Sequence, residues 1–131
     1  MKSKWIEYRG QRVLHVDAAN LEHDSGALSA ELEAIVQLLE PEPKNSVLVV
    51  ADLRNTFLDN NALMVLMSNA PLAAPHFRKS AMVIEHNSLR RIVLDSLGRF
   101  VGHLPNRFSD FQIALEWLVE TKEPQPDTNP R

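Results

Sequence analysis

Apolar residues recur along this chain in two rhythms, one alternating and one helical, and the changes between them mark out its elements. Trp5 to Tyr8 and Arg12 to Val16 are β-prone runs separated by Arg9-Gly10-Gln11, where the glycine supplies the positive φ of a hairpin turn. A polar stretch from Asn20 to Gly26 follows, with Asp24 or Ser25 placed to cap a helix. Leu28, Leu32, Ile35, Val36 and Leu39 then repeat at helical spacing, with Glu31, Glu33, Gln37 and Glu40 expected to face away. Pro41 and Pro43 stop this helix.

Ser46 to Ala51 is a continuous apolar, β-branched run after a proline break, the pattern of a strand buried on both faces. A second helix is expected from about Asp59-Asn60-Asn61, carrying Leu63, Leu66, Met67 and Ala70, with Pro71 and Pro75 ending or kinking it. Ser80 to Ile84 reads as the next buried strand. A further helix is expected from about Ser88 to Val101, with Leu89, Ile92, Val93, Leu97 and Phe100 in one stripe and Gly102 just beyond its end. For the last helix, Ser109 and Gln112 fit a capping box flanked by Phe108 and Ile113 as a hydrophobic staple. Ala114, Leu115, Leu118 and Val119 form its apolar stripe.

The fold class is therefore α/β, a mixed and mostly parallel sheet with amphipathic helices in the order β-β-α-β-α-β-α-β-α. The hairpin is expected to place one antiparallel strand at the edge. No repeat or linker divides residues 1–121, which read as one domain, and residues 122–131 lack the apolar content to join a core.

Composition narrows the function classes. The 131 residues are 44% hydrophobic and 24% charged with a net charge of −3, which does not match the basic excess of a nucleic-acid binder. With no cysteine, disulfides, thiolate catalysis and cysteine-based zinc sites are excluded. No apolar run approaches the roughly 20 residues of a membrane span, and Met1 to Glu7 lacks an apolar secretory core. The expected setting is cytoplasmic.

Two stretches resemble a known family. Val49-Val50-Ala51-Asp52-Leu53-Arg54-Asn55-Thr56-Phe57-Leu58-Asp59-Asn60-Asn61-Ala62-Leu63 is similar to the signature of STAS domains, the fold of the bacterial anti-sigma-factor antagonists. In that signature a strand ending in Asp-Leu leads to Asp-Ser-Ser-Gly-Leu at a helix start. Leu89-Arg90-Arg91-Ile92, Arg99-Phe100 and Ala114-Leu115-Glu116-Trp117-Leu118 resemble a STAS-like subgroup of short bacterial proteins likened to CRAL-TRIO lipid-transfer domains. The likeness spans residues 4 to 121. It implies a STAS-like domain that docks a protein through Asp52, Arg54, Asn55, Thr56, Asp59, Asn60 and Asn61. In the antagonists the second serine is phosphorylated and switches partner binding. Here Asn60 and Asn61 stand at the serine positions and Ala62 at the glycine, so that switch does not carry over. Both asparagines suit helix capping.

Independently of any family, ligands of open parallel sheets sit beyond the carboxyl ends of the strands. His86, Asn87, Ser88, Arg90 and Arg91 are expected there, and two arginines with free helix N–H groups would form an anion-binding corner. Pairing of those arginines with Glu85, Asp95 or solvent is the plainer account. The histidines at 15, 23, 76, 86 and 103 lack metal-ligand spacing, and His15 reads as a strand-face residue. Neither a nucleophile elbow nor a phosphate-cradling loop is present among only four glycines. No metal or cofactor is expected. Phe100, Phe108, Phe111 and Trp117 read as core, or as the lining of an apolar pocket. Met64 lies off the main stripe of the second helix, which would give that helix an exposed apolar patch.

Three functions remain. The leading expectation is a non-enzymatic regulatory or protein-interaction module with a protein partner. The second is a carrier or sensor of a small amphipathic anion or lipid, which requires a cavity of a few hundred Å³ between helices and sheet. The third is an enzyme using His86 with a nearby carboxylate. A homodimer through an edge strand stays open.

Overall fold

A computed structural model describes residues 2–57, 59–85 and 106–120. The expected helix at 88–101, its candidate ligand residues His86, Asn87, Ser88, Arg90 and Arg91, and the segment 122–131 lie outside these described residues, as do Leu58 and Phe100.

The hairpin forms from β1 (Lys4–Tyr8) and β2 (Gln11–Asp17), paired antiparallel with Tyr8 opposite Gln11. Its turn is two residues long, and both are in the left-handed region, Arg9 at φ 51° and Gly10 at φ 81°. That is the type I′ geometry whose twist matches the strands. A helix α1 (Ser25–Leu39) leads to β3 (Val47–Asp52), and α2 (Asn60–Ala73) leads through a 3-10 turn (Ala74–His76) to β4 (Phe77–Val83). The short β5 (Asn106–Phe108) precedes α3 (Phe111–Leu118). The five strands lie in the order β1-β2-β3-β4-β5, with β2 to β5 mutually parallel and β1 antiparallel at the edge. The α/β fold class read from the sequence is the one observed.

Side chains alternate across the sheet and are covered on both faces. Leu14, Val16, Val49 and Met82 meet α1 and α2 through Leu28, Ile35, Leu39 and Leu66. Val13, Leu48, Val50, Ala81 and Val83 meet α3 through Ala114, Leu115 and Leu118. β3 is thus buried from both sides, which is why it reads as an unbroken apolar run rather than an alternating one.

Several local expectations are corrected. Glu31 does not face away: it is buried, and its carboxylate accepts from the Ser3 N–H at 2.7 Å and the Lys2 N–H at 3.3 Å. Burial opposes ionisation of Glu31, but those donors outweigh it and hold its carboxyl below the usual range. Asn60 and Asn61 do not cap α2. Asp59 does, accepting from the Ala62 N–H at 2.9 Å. The cap of α3 is likewise Asp110, accepting from the Ile113 N–H at 2.9 Å, so the Ser109–Gln112 box is displaced by one residue. With Asp110 as the cap, Ile113 no longer stands at the staple position, and it is exposed. Pro71 lies within α2 and does not end it; a proline in the last turn loses one intrahelical bond without unseating the turns before it. Met67, expected on the apolar stripe, is exposed, and the buried positions of α2 are Ala62, Leu66 and Ala73.

Candidate functional site

Parallel strands deliver their C-terminal loops to one end of the sheet. At that end the β3–α2 loop is tied to the loop after β2. The Asn20 N–H donates to the Arg54 carbonyl at 2.8 Å, Glu22 N–H to Asn55 at 3.1 Å, and Phe57 N–H to Glu22 at 2.8 Å. Asn20, Glu22 and Asn55 all have positive φ, between 53° and 62°. Asparagine tolerates this region, whereas glutamate pays a steric penalty there. The bonds on both sides of Glu22 hold it in place. Thr56 is the inner pin: it is 1% exposed, its hydroxyl donates to the Ala18 carbonyl at 2.6 Å, and it accepts from the Leu21 N–H at 3.1 Å.

The expected docking residues therefore divide. Asp52 is buried, and its carboxylate is chelated by Arg54 through Nε at 3.0 Å, a terminal guanidinium nitrogen at 2.8 Å and the backbone N–H at 3.1 Å. Burial alone would raise the Asp52 pKa, yet the Arg54 donors hold it below the ordinary carboxylate range. Asp52 and Thr56 thus shape the loop and are not presented to a partner. Asn55 is exposed at the tip, its N–H donating to the Glu85 carboxylate at 2.6 Å and its side-chain amide to Asn20 at 3.1 Å. Asp59 pairs with His23 at 3.2 Å, and the His23 ring lies 4.3 Å from that of Phe57. Asn60 and Asn61 are exposed on the first turn of α2.

Beyond that turn the outer face of α2 is uncharged, with Ser68 among exposed apolar side chains. Met64 is 66% exposed, Leu72 58% and Met67 37%, and Phe57, in the loop before α2, is 43% exposed. No charged side chain occurs anywhere in the 14 residues of α2. A helix that faces water normally carries charges on its outer side. The run Asn60–Ala73 has none, a sequence signal stronger than the displaced Met64 alone.

On the opposite face of the sheet His15 packs half-buried against Phe111, ring centroids 4.8 Å apart, and its Nε2 has no hydrogen-bond partner. Burial lowers its pKa, with the Asp17 and Asp52 charges acting the other way. It is a strand-face residue, as the alternation implied. Phe108, Phe111 and Trp117 pack partly buried against the core, and Lys79 Nζ lies 4.1 Å above the Trp117 ring.

An open cleft of about 280 Å³ lies beside β4, β5 and the start of α3. Ile84, Phe108 and Ile113 form its apolar wall, and Glu85, Arg107 and Asp110 its charged rim. It is not the cavity between helices and sheet that the carrier reading requires, and two carboxylates against one guanidinium oppose an anion. Among the described residues no cluster of histidine and carboxylate suited to a metal ion occurs. No described helix is long and apolar enough to cross a membrane. No protein-family model, curated protein or solved structure matches the chain.

Proposed function

We propose that this chain is a non-enzymatic regulatory module of STAS-like type that docks a protein partner through the outer face of α2 and the adjoining β3–α2 loop. One observation carries the reading: a charge-free helix exposes Met64, Met67 and Leu72 to water, and the loop that leads into it exposes Phe57. Apolar patches of this kind are costly in water and mark association surfaces, where methionine and aromatic residues are enriched. Methionine adapts its shape to a partner with little strain. The loop supports the face rigidly through Thr56 and the Asp52–Arg54 chelate, so docking needs no large rearrangement.

The partner chemistry follows from the patch. It is a protein offering an apolar groove or helix face, with polar contacts only at the rim formed by Asn55, Asp59, Asn60 and Asn61. With asparagine at positions 60 and 61, docking is not governed by phosphorylation there. The test is the double substitution Met64→Glu with Met67→Glu. Met64 is largely exposed and Met67 partly so, so stability should fall by no more than about 1 kcal/mol in urea unfolding. The partner should be lost from complexes isolated from the native host. Retention of the partner at parental stoichiometry would overturn the assignment of this face.

A further inference from the structure

A second surface is open at the other side of the molecule, along the outer edge of β1. In a two-residue type I′ hairpin the residues flanking the turn exchange hydrogen bonds, so Tyr8, and by alternation Ile6 and Lys4, direct their backbone groups to β2. Trp5 and Glu7 direct theirs outward. The next outward donor, the Ser3 N–H, is taken by the Glu31 carboxylate at 2.7 Å. The open edge is thus bounded by Glu31 at one end and by the Arg9-Gly10 turn at the other. Among the described residues nothing pairs with Trp5 or Glu7 along it.

We infer that β1 pairs antiparallel with β1 of a second copy about a two-fold axis through Ile6, joining the two five-stranded sheets into one. Such an axis stands perpendicular to the sheet and keeps equivalent faces on the same side. It sets Trp5 opposite Glu7 of the second copy and Ile6 opposite its own equivalent. In this register the outward N–H and C=O groups of Trp5 and Glu7 are all satisfied in both copies. Shifting the axis to Glu7 satisfies only half of them, and shifting it to Trp5 leaves the Glu7 carbonyl facing a Ser3 N–H that Glu31 already holds.

The side chains fit the same register. On the α1 face, the Arg12 guanidinium lies 3.8 Å over the Trp5 ring, and Glu7 of the second copy arrives beside that ring, bringing carboxylate to guanidinium. On the α3 face, Ile6 meets Ile6 at the axis. Lys4 meets Tyr8 of the second copy, whose hydroxyl is already bonded to the Glu116 carboxylate at 2.8 Å. An edge lysine ordinarily discourages pairing; here it arrives next to an acid.

The test uses the absence of cysteine from the chain. Ile6 occupies a non-hydrogen-bonded pair, where Cα atoms lie about 4.5 Å apart, within disulfide reach. Ile6→Cys treated with oxidised glutathione should therefore link two chains, and Glu7→Cys, offset along the strand, should not. Sedimentation equilibrium of the parent should give twice the chain mass. Glu7→Pro removes only an outward N–H, so it should give a monomer with unchanged circular dichroism. A parent that stays monomeric up to near-millimolar concentration would overturn the pairing, whether or not β1 takes a strand from another protein. So would a dimer indifferent to Glu7→Pro, or cross-linking at Glu7→Cys in preference to Ile6→Cys.

Discussion

Thr56 illustrates how a single hydroxyl sets the geometry of the candidate docking loop. It joins the Ala18 carbonyl to the Leu21 N–H. Thr56→Val keeps the shape but leaves both groups unsatisfied, and should cost about 2–4 kcal/mol in urea unfolding. His15 supplies a second prediction. Its pKa is lowered by burial, so below the ordinary value of 6.5 the unfolded chain takes up a proton more readily than the folded one. Stability should therefore fall as pH drops below 6.5, and His15→Phe should flatten that decline. Asp52, also lowered, adds its own loss only at more acidic pH, below the ordinary 3.8, where the Arg54 chelate is protonated away. Thermal unfolding from pH 8 to pH 3 separates the two. The surroundings of these residues were only partly legible in the sequence. Strand alternation placed His15 on a face, but helical spacing put Glu31 on the wrong one. The donors that bury it come from residues 28 and more positions away, beyond the reach of any periodicity.

Elements were legible where the pattern and the punctuation agree. The Arg9-Gly10 hairpin, α1 stopped by Pro41, and the buried run of β3 follow from local propensity and pattern together. Asp24 caps α1, one of the two residues the sequence offered, whereas the caps of α2 and α3 fall one residue from the expected ones, because serine, asparagine and aspartate all accept from a helix N–H. Which one does so depends on where the incoming chain turns, and aspartate takes the position in the three described helices. Asp24→Ala should accordingly cost about 1 kcal/mol. Asp59→Ala should lower stability measurably, because it loses both the cap and the His23 contact. Asn60→Ala and Asn61→Ala should leave stability unchanged. Urea titration of the four variants orders these effects. Pro71 sits in the last turn of α2, where the loss of one donor leaves the preceding turns intact, and the helix ends at Ala73 before Pro75.

At the scale of the molecule, the parallel strands bring the β3–α2 loop and Glu85 to one end, while the apolar face of α2 and the edge of β1 lie on separate surfaces. Protein docking and self-pairing therefore need not compete. The lack of charge along α2 was present in the sequence throughout, but its meaning required knowing which side of that helix the sheet covers. Native mass spectrometry of the chain purified gently from its own host, parent beside Met64→Glu/Met67→Glu and with intact and denatured spectra compared, tests most directly whether this face of α2 holds a protein. The parent should give a protein complex of fixed stoichiometry that is absent from the variant. A small molecule released on denaturation with no protein bound, or a complex that the substitutions leave untouched, would contradict it.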